Sequence, residues 1–369
     1  MDLPTELWGE ILQKTRSIRT CDKLYNAFPN KTQVELKSAY KSHKEHITLK
    51  MAFAFDEKIS FYNGDCLMKD IPFQNIIAVK FVKNWNTPVG KRDCVAVGTR
   101  NGAVMFWDAR TLNYIFLLNV NSTLGDIEFH PTESIMLSVC MRLYGRQLKV
   151  WKFDENGEAI NIARFAVEFL GEGKKYYYFH PNAPEIYVFS SNYSYNPYHR
   201  KLMKVFFCNY DRMSVSFSER IHSFMYLNNY YTPLKINVDG SFECIKYENG
   251  MNYFCHFAIA GDEIEEIETQ CVCENADIVS GSCFVVWDFV RVGADVYFYT
   301  NRIGDAVIYK QTGDKHKVIY ETNKIISQFF YKNGFIVFVE KAQLKYIDLE
   351  TMSVEAFDVE EEPVDFCVM

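Results

Sequence analysis

Apolar and polar positions alternate along most of this chain, in runs of only a few residues. From Ile47 onward, runs rich in β-branched and aromatic residues recur roughly every 8–12 residues. Dipeptides that favour hairpin turns separate many of them: Asn63-Gly64, Asn101-Gly102, Asn156-Gly157, Asp239-Gly240, Asn249-Gly250 and Asn333-Gly334. No convincing helical stretch interrupts the runs, so the pattern predicts a mainly β protein built as a sandwich, barrel or propeller.

A longer period favours the propeller. Runs suited to the first strand of a sheet begin near Ile76, Gly125, Lys175, Pro233, Ser282 and Ile325. Their spacing of roughly 50 residues leaves room for four strands and their turns in each unit.

Counting the remaining strands gives the number of blades. Residues 47–71 hold three strands, Ile47–Phe55, Lys58–Tyr62 and Cys66–Ile71, with no first strand ahead of them. Residues 363–369 read as one strand without a blade of its own. Pairing the two ends completes a first blade and leaves no open edge. We therefore predict a seven-bladed propeller over residues 47–369, with six or eight blades as the alternatives.

Residues 1–46 follow a helical period instead. Leu3, Leu7 and Ile11 recur on one face of a first helix, with Pro4 in its first turn. A second helix fits residues 20–27, and a third begins at the capping-box pattern of residues 32–35. Three short helices make a very small core, which is typical of a docking element.

Two stretches of the β region resemble WD repeats. Residues 95–108 resemble the second and third strands of such a repeat, with Trp107-Asp108 closing the third strand. Phe-His-Pro stands at residues 129–131 and again at residues 179–181. The family's hydrogen-bonded His…Asp tetrad is mostly absent, so we expect these blades to depend more on packed aromatic side chains.

The N-terminal order Leu3-Pro4-x-Glu6-Leu7-Trp8 resembles the start of an F-box over residues 2–45. The second half departs from that pattern because it lacks the usual tryptophan near the third helix, where Tyr40 could substitute. The resemblance implies that a Skp-type adaptor, and through it a cullin ligase, binds these residues: Leu3, Pro4, Leu7, Trp8, Ile11, Leu12, Leu24 and Phe28. The alternative is a helical cap packed on the following domain.

Composition and charge exclude several classes of function. With 40 Lys and Arg against 47 Asp and Glu, the net charge is −7, which argues against non-specific nucleic-acid binding. No apolar run approaches the roughly 20 residues that span a bilayer, so no membrane partner is expected. The 11 cysteines show no metal-binding spacing and fit reduced thiols of a cytoplasmic or nuclear protein.

No catalytic motif is present, so we expect no enzyme activity, no cofactor and no metal. The acidic run at residues 262–268 fits an exposed outer strand whose charges protect its edge. A propeller hydrolase would need polar residues converging from several innermost strands. The residues we expect there are apolar, which counts against it: Phe81, Phe129, Phe179 and Phe330.

Arginine and tyrosine gather in the predicted turns between second and third strands, which meet on one face of a propeller. These candidate target-binding residues are Arg100, Arg142, Arg146, Tyr193, Tyr195, Tyr198, Arg200 and Arg302, with Tyr144 beside them. Arginine gives forked hydrogen bonds to anionic groups and tyrosine gives rigid contact area, which together suit an acidic or phosphorylated peptide. Ordinary solvated loop arginines are the alternative.

Together the two resemblances imply an F-box/WD-repeat-like substrate receptor of an SCF-type ubiquitin ligase, whose propeller would hold an unknown target protein. The composition and the short linker also resemble F-box proteins of large DNA viruses, which would place the protein in a host cell. A non-catalytic scaffold or virion-associated propeller is the alternative.

Overall fold

Neighbouring runs of the sequence pair as antiparallel hairpins throughout the described chain. The structure, a computed structural model, describes residues 50–63, 66–142, 145–166, 175–191, 203–218, 234–248, 251–260, 263–273, 286–301, 305–313, 315–332, 334–359, 363 and 365–368. Within these ranges, the strands form seven sheets of four strands each. The sheets divide between two compact units, one with the described residues up to Pro72 and from Ile326 onward, the other spanning Phe73–Ile325.

The first unit holds two sheets. One has the order β28 (Asp365–Val368), β1 (Lys50–Ala54), β2 (Lys58–Asn63) and β3 (Cys66–Pro72). The other has the order β24 (Ile326–Lys332), β25 (Phe335–Glu340), β26 (Gln343–Asp348) and β27 (Val354–Asp358). In the first sheet, Phe366 of β28 lies opposite Phe53 of β1, and their rings stack with centroids 5.4 Å apart. The predicted blade built from both ends of the chain is confirmed.

The second unit holds five sheets, each made of four strands consecutive in sequence. The first three are β4 (Ile76–Trp85), β5 (Arg92–Thr99), β6 (Ala103–Asp108) and β7 (Tyr114–Asn119); β8 (Leu124–Phe129), β9 (Ile135–Arg142), β10 (Gly145–Phe153) and β11 (Ala159–Ala166); and β12 (Lys175–Phe179), β13 (Glu185–Ser191), β14 (Met203–Asn209) and β15 (Ser214–Ser218). The last two are β16 (Leu234–Ile236), β17 (Phe242–Glu248), β18 (Met251–Ala260) and β19 (Glu263–Cys273); and β20 (Val286–Val292), β21 (Asp295–Asn301), β22 (Ala306–Thr312) and β23 (Lys315–Thr322).

This topology is that of a seven-bladed β-propeller, as predicted. The predicted blade period is confirmed as well. Five of the six predicted first strands begin within one residue of the observed start, and the strand expected near Ser282 is described from Val286.

Aromatic side chains fill the cores between sheets. Trp85, fully buried, lies with its ring centroid 6.0 Å from that of Phe106 and 5.0 Å from that of Phe153. These rings come from β4, β6 and β10, so they join two neighbouring sheets into one core. One polar contact accompanies them: Trp151 Nε1 donates to Ser138 Oγ at 2.9 Å. The packed aromatic side chains that the sequence predicted are present in this core.

A turn that the sequence analysis missed recurs between third and fourth strands. The Asp108 carboxylate accepts the N–H groups of Arg110 and Thr111, and four residues after Asp108 the chain turns through Leu112 at φ 57°. The same four-residue spacing and the same left-handed backbone conformation recur in two other sheets, at Asn209 with Met213 and at Asp348 with Met352. The repeated Asp/Asn-x-x-x-Leu/Met pattern is readable in the sequence and marks three of the blades.

The predicted helical region, residues 1–46, lies outside the described residues, as do all eight predicted adaptor-binding side chains. The three helices therefore stay a prediction. In the described ranges, no helix has the length and apolar character needed to cross a membrane.

Candidate protein-binding surface at the second-to-third strand turns

The turns that were predicted to carry arginine do join second and third strands. Arg100 lies in the turn between β5 and β6, Arg142 ends β9, and Arg146 is the second residue of β10. The other predicted contact residues lie outside the described residues: Tyr144, Tyr193, Tyr195, Tyr198, Arg200 and Arg302. The described part of the candidate surface therefore lies on the first two sheets of the second unit.

The backbone around Arg100 is held from both sides. Its N–H donates to the carbonyl of Asn75 at 2.8 Å, and its carbonyl accepts the N–H of Leu124 at 3.0 Å. Within the turn, Gly102 N–H donates to the Thr99 carbonyl at 2.9 Å. The Arg100 side chain is exposed. A fixed backbone under an exposed guanidinium lowers the ordering cost of binding an anionic partner.

Gly102 is required by its place in this turn. It has φ +89°, and a Cβ built on it would lie inside 3.0 Å of the Ser122 carbonyl oxygen. Its own carbonyl accepts the N–H of Val120 at 2.8 Å. A glycine is therefore needed both for the left-handed conformation and for the close approach of the connection between β7 and β8.

A buried lysine lies beneath the same turn. Lys149 is 7% exposed, and its Nζ donates to the Val120 carbonyl and to Ser122 Oγ, both at 2.7 Å. Both partners are uncharged, and no ion pair of Lys149 is found in the part of the chain that the structure describes. Its positive charge therefore adds to that of Arg100 and Arg142 at this edge. Sequence reasoning missed Lys149 because nothing in an alternating strand indicates which neighbour will cover a lysine.

Arg146 differs from the other two described arginines. Its guanidinium donates to Tyr177 Oη of β12 at 3.1 Å and is half-buried. Tyr177 is buried, which raises the pKa of its hydroxyl, and the nearby Arg146 charge offsets part of this rise. Arg142 and Arg100 are exposed, whereas Arg146 is engaged in holding two sheets together. We therefore place less weight on Arg146 as a contact residue.

The first strands of the sheets carry charged pairs that the sequence analysis overlooked. Lys80 of β4 contacts Glu128 of β8, with Nζ 3.0 Å from Oε1. In the same way Lys235 of β16 lies 2.9 Å from the Asp288 carboxylate of β20. Within each pair the two charges neutralise each other. The pairs also show that first strands carry charged as well as apolar side chains.

The phenylalanines expected to line those strands are largely core residues. Phe179 is buried in one core, and Phe129 packs against another. In the first unit, Phe330 packs beside Phe366 with ring centroids 4.9 Å apart. Because these side chains pack into cores, they do not show which groups converge from the innermost strands, and the expected absence of hydrolase activity stays a prediction.

A serine, a histidine and an aspartate do come together at the turn between β16 and β17, but not in catalytic order. Ser241 Oγ donates to Asp239 Oδ1 at 2.6 Å, lies 2.8 Å from His256 Nε2, and accepts from Asn237 Nδ2 at 3.0 Å. In a catalytic triad the histidine takes the serine proton and the carboxylate orients the histidine. Here the serine hydroxyl donates its hydrogen bond to the carboxylate instead of to the histidine, so the arrangement stabilises a turn.

The two Phe-His-Pro histidines are also turn residues. His130 Nδ1 accepts the N–H of Glu133 at 3.1 Å, and His180 Nδ1 accepts that of Asn182 at 3.0 Å. Each ring packs edge-on against an aromatic ring, His130 on Phe179 and His180 on Tyr187. Burial lowers the pKa of both imidazoles. Among the described residues, no three His, Cys, Asp or Glu side chains are grouped to hold a metal ion.

Comparisons with known proteins relate this chain by fold. No family model matches it, and no curated protein does. The solved β-propeller domain of Cps50 (Swd1) from Myceliophthora thermophila is 10% identical, with a TM-score of 0.51, covering 84% of this chain and 93% of that one. Sqt1 of Saccharomyces cerevisiae is 7% identical, with a TM-score of 0.51 and coverages of 84% and 82%.

A third similar structure carries a different description. It is a candidate 6-phosphogluconolactonase from Bacteroides fragilis, 12% identical, with a TM-score of 0.55, covering 87% of this chain and 98% of that one. Identities this low relate the folds alone. The seven-bladed propeller is consistent with a protein-interaction scaffold.

Proposed function

We propose that this chain is a non-catalytic substrate-recognition subunit of an SCF-type E3 ubiquitin ligase. Residues 1–46 would bind a Skp-type adaptor, and the propeller would bind the protein to be ubiquitinated. The adaptor half rests on the F-box-like order of Leu3, Pro4, Leu7 and Trp8. The propeller half rests on one observation: exposed arginines stand on a fixed backbone above a buried lysine.

The ligand best suited to that surface is an acidic or phosphorylated segment. Arg100 and Arg142 can each offer two parallel N–H groups to a carboxylate or phosphate. Lys149 cannot reach solvent freely, but its charge raises the potential at the turn, where low-dielectric surroundings screen it poorly. The chain as a whole carries a net charge of −7, so an acidic ligand would favour this basic patch over the rest of the surface.

The adaptor half is tested by co-purifying the full chain with a Skp-type adaptor. The double variant Leu7→Asp with Ile11→Asp places charges on the apolar face of the predicted first helix and should abolish binding. Gln13→Asp, on the opposite face by the 3.6-residue period, is the matched control and should bind normally. Failure of the wild type to bind, or binding by the double variant, would refute this half and leave the propeller scaffold as the function.

The propeller half is tested by probing the full chain with an array of paired serine and phosphoserine peptides. Loss of Arg100 and Arg142 together, as the double alanine variant, should weaken binding of the phosphorylated members and flatten its salt dependence. Arg110→Ala is the matched control, because Arg110 is an exposed arginine at the opposite end of the same sheet. Equal binding by all three proteins would remove this surface from consideration.

A further inference from the structure

The fourth strands of the sheets differ sharply in how they protect their free edges. In the described chain, each of these strands pairs with one neighbour only. Most carry the charges or proline that discourage edge-to-edge pairing. The protecting residues include Lys69, Asp70 and Pro72 of β3; Arg164 of β11; Glu263, Glu265, Glu266 and Glu268 of β19; Lys315, Lys317 and Glu321 of β23; and Glu355 and Asp358 of β27.

Strand β7 lacks any such protection. Its six residues, Tyr-Ile-Phe-Leu-Leu-Asn, contain no charge and no proline. Tyr114 is 55% exposed and Leu117 is 50% exposed. The other uncharged fourth strand, β15, is five residues long and contains three serines. An uncharged apolar edge of this length is a template for another strand.

The strand is held rigidly enough to act as a template. The Phe116 ring stacks on Phe106 at 4.4 Å between centroids, with the planes 6° apart. Residues Ala103 to Phe106 of β6 pair continuously with Asn119 to Phe116 of β7. The outward backbone groups of β7 are therefore already in extended geometry, and a partner strand does not have to order them.

We propose that β7 pairs antiparallel with β7 of a second copy of this chain. In a pair related by a twofold axis, each strand lies opposite an identical strand, so the charges of a charged strand would face like charges in the second copy. The four glutamates of β19 would repel in this way, whereas β7 has no charge to repel. The axis also requires both faces of the joined sheet to match. A register centred on the exposed Leu117 satisfies this and places Phe116 opposite Leu118 of the second copy.

The proposal is tested by measuring the mass of the full chain in solution by light scattering after gel filtration, over a range of concentrations. The wild type is expected at twice the chain mass. Leu117→Lys and Leu117→Glu should each be monomeric, because two like charges then face each other at the axis. An equimolar mixture of the two variants should recover the doubled mass. Val318→Lys is the control, since Val318 is 46% exposed on the already charged β23.

Several outcomes would overturn the proposal. A monomeric wild type at every concentration removes it, as does a dimer that persists in both Leu117 variants. A mixture that stays monomeric contradicts the Leu117-centred register. Amide hydrogen exchange gives a second measurement: protection of residues 114–119 should rise with wild-type concentration, and unchanged exchange there would mean that another surface forms the dimer.

Discussion

Replacing Gly102 with alanine tests the geometry of the candidate surface directly. The change adds a Cβ at φ +89°, inside 3.0 Å of the Ser122 carbonyl oxygen. Gly90 offers a matched control, because its φ is +90° and nothing lies within 4 Å of the added Cβ. Both substitutions force alanine into a left-handed conformation, and only Gly102→Ala also creates a steric clash.

The magnitudes follow from the contacts. The left-handed conformation costs roughly 1–2 kcal/mol, and the lower chain entropy of unfolded alanine returns about 0.4–1 kcal/mol. Gly90→Ala should therefore lose about 1 kcal/mol. In Gly102→Ala, Ser122 must also move away, although Lys149 and the Val120 N–H to Gly102 carbonyl bond hold its segment. Losing one charge-assisted and one ordinary hydrogen bond adds roughly 2–4 kcal/mol.

Urea unfolding followed by tryptophan fluorescence measures the difference. Gly102→Ala should unfold at clearly lower urea than Gly90→Ala, with similar slopes. Phosphopeptide binding should fall for Gly102→Ala alone, because Arg100 belongs to the displaced turn. Equal midpoints for the two variants would show that the close approach at Ser122 does not exist in the folded protein.

Three further predictions address the fold. Trp151→Phe should lower the free energy of unfolding by about 1 kcal/mol, through loss of the Ser138 hydrogen bond and a small volume; Ser138→Ala should lose a similar amount, and an additive double variant would contradict the pairing. Because burial lowers the pKa of His130 and His180 from 6.5, folding favours the neutral rings. The stability that these two histidines contribute should be fully present above about pH 6.5 and be lost as the pH drops through their folded pKa values, so thermal stability should fall less steeply in a His130→Gln, His180→Gln variant. Burial raises the pKa of Cys94 and of Cys208 to about 12, so both should resist iodoacetamide at pH 8 until urea unfolds the chain, while half-buried Cys271 and Cys367 should react before these two; early labelling of Cys94 by mass spectrometry would contradict its burial.

The strand order was predictable because the information is local. Turn dipeptides such as Asn101-Gly102 select hairpins between runs a few residues apart, and four strands joined by three such hairpins make a blade. The pairing of β28 with β1 is the exception, since it joins the two ends of the described chain. It could still be predicted by counting, because one strand at the C-terminus and three near the N-terminus had no other sheet. The Asp108-to-Leu112 turn was equally local and was overlooked only because its repeats are far apart.

The candidate surface was predictable only in part, because its chemistry depends on contacts between sheets. The turn register located Arg100, Arg142 and Arg146 but gave them equal weight. What separates them is Tyr177, 31 residues beyond Arg146, which takes up its guanidinium. Lys149 is similar, since the groups that bury it come from the preceding connection and not from its own hairpin.

A sequence pattern can therefore say which residues reach one edge of a propeller, but not which of them remain available there. An arginine engaged by the next sheet and an exposed arginine on a fixed turn have the same pattern around them. The Gly102 and Gly90 pair turns this distinction into a measurement, because the two glycines share a φ near +90° and differ in what another part of the chain brings against them. If contact between sheets forms the binding site, Gly102→Ala will weaken phosphopeptide binding and Gly90→Ala will not.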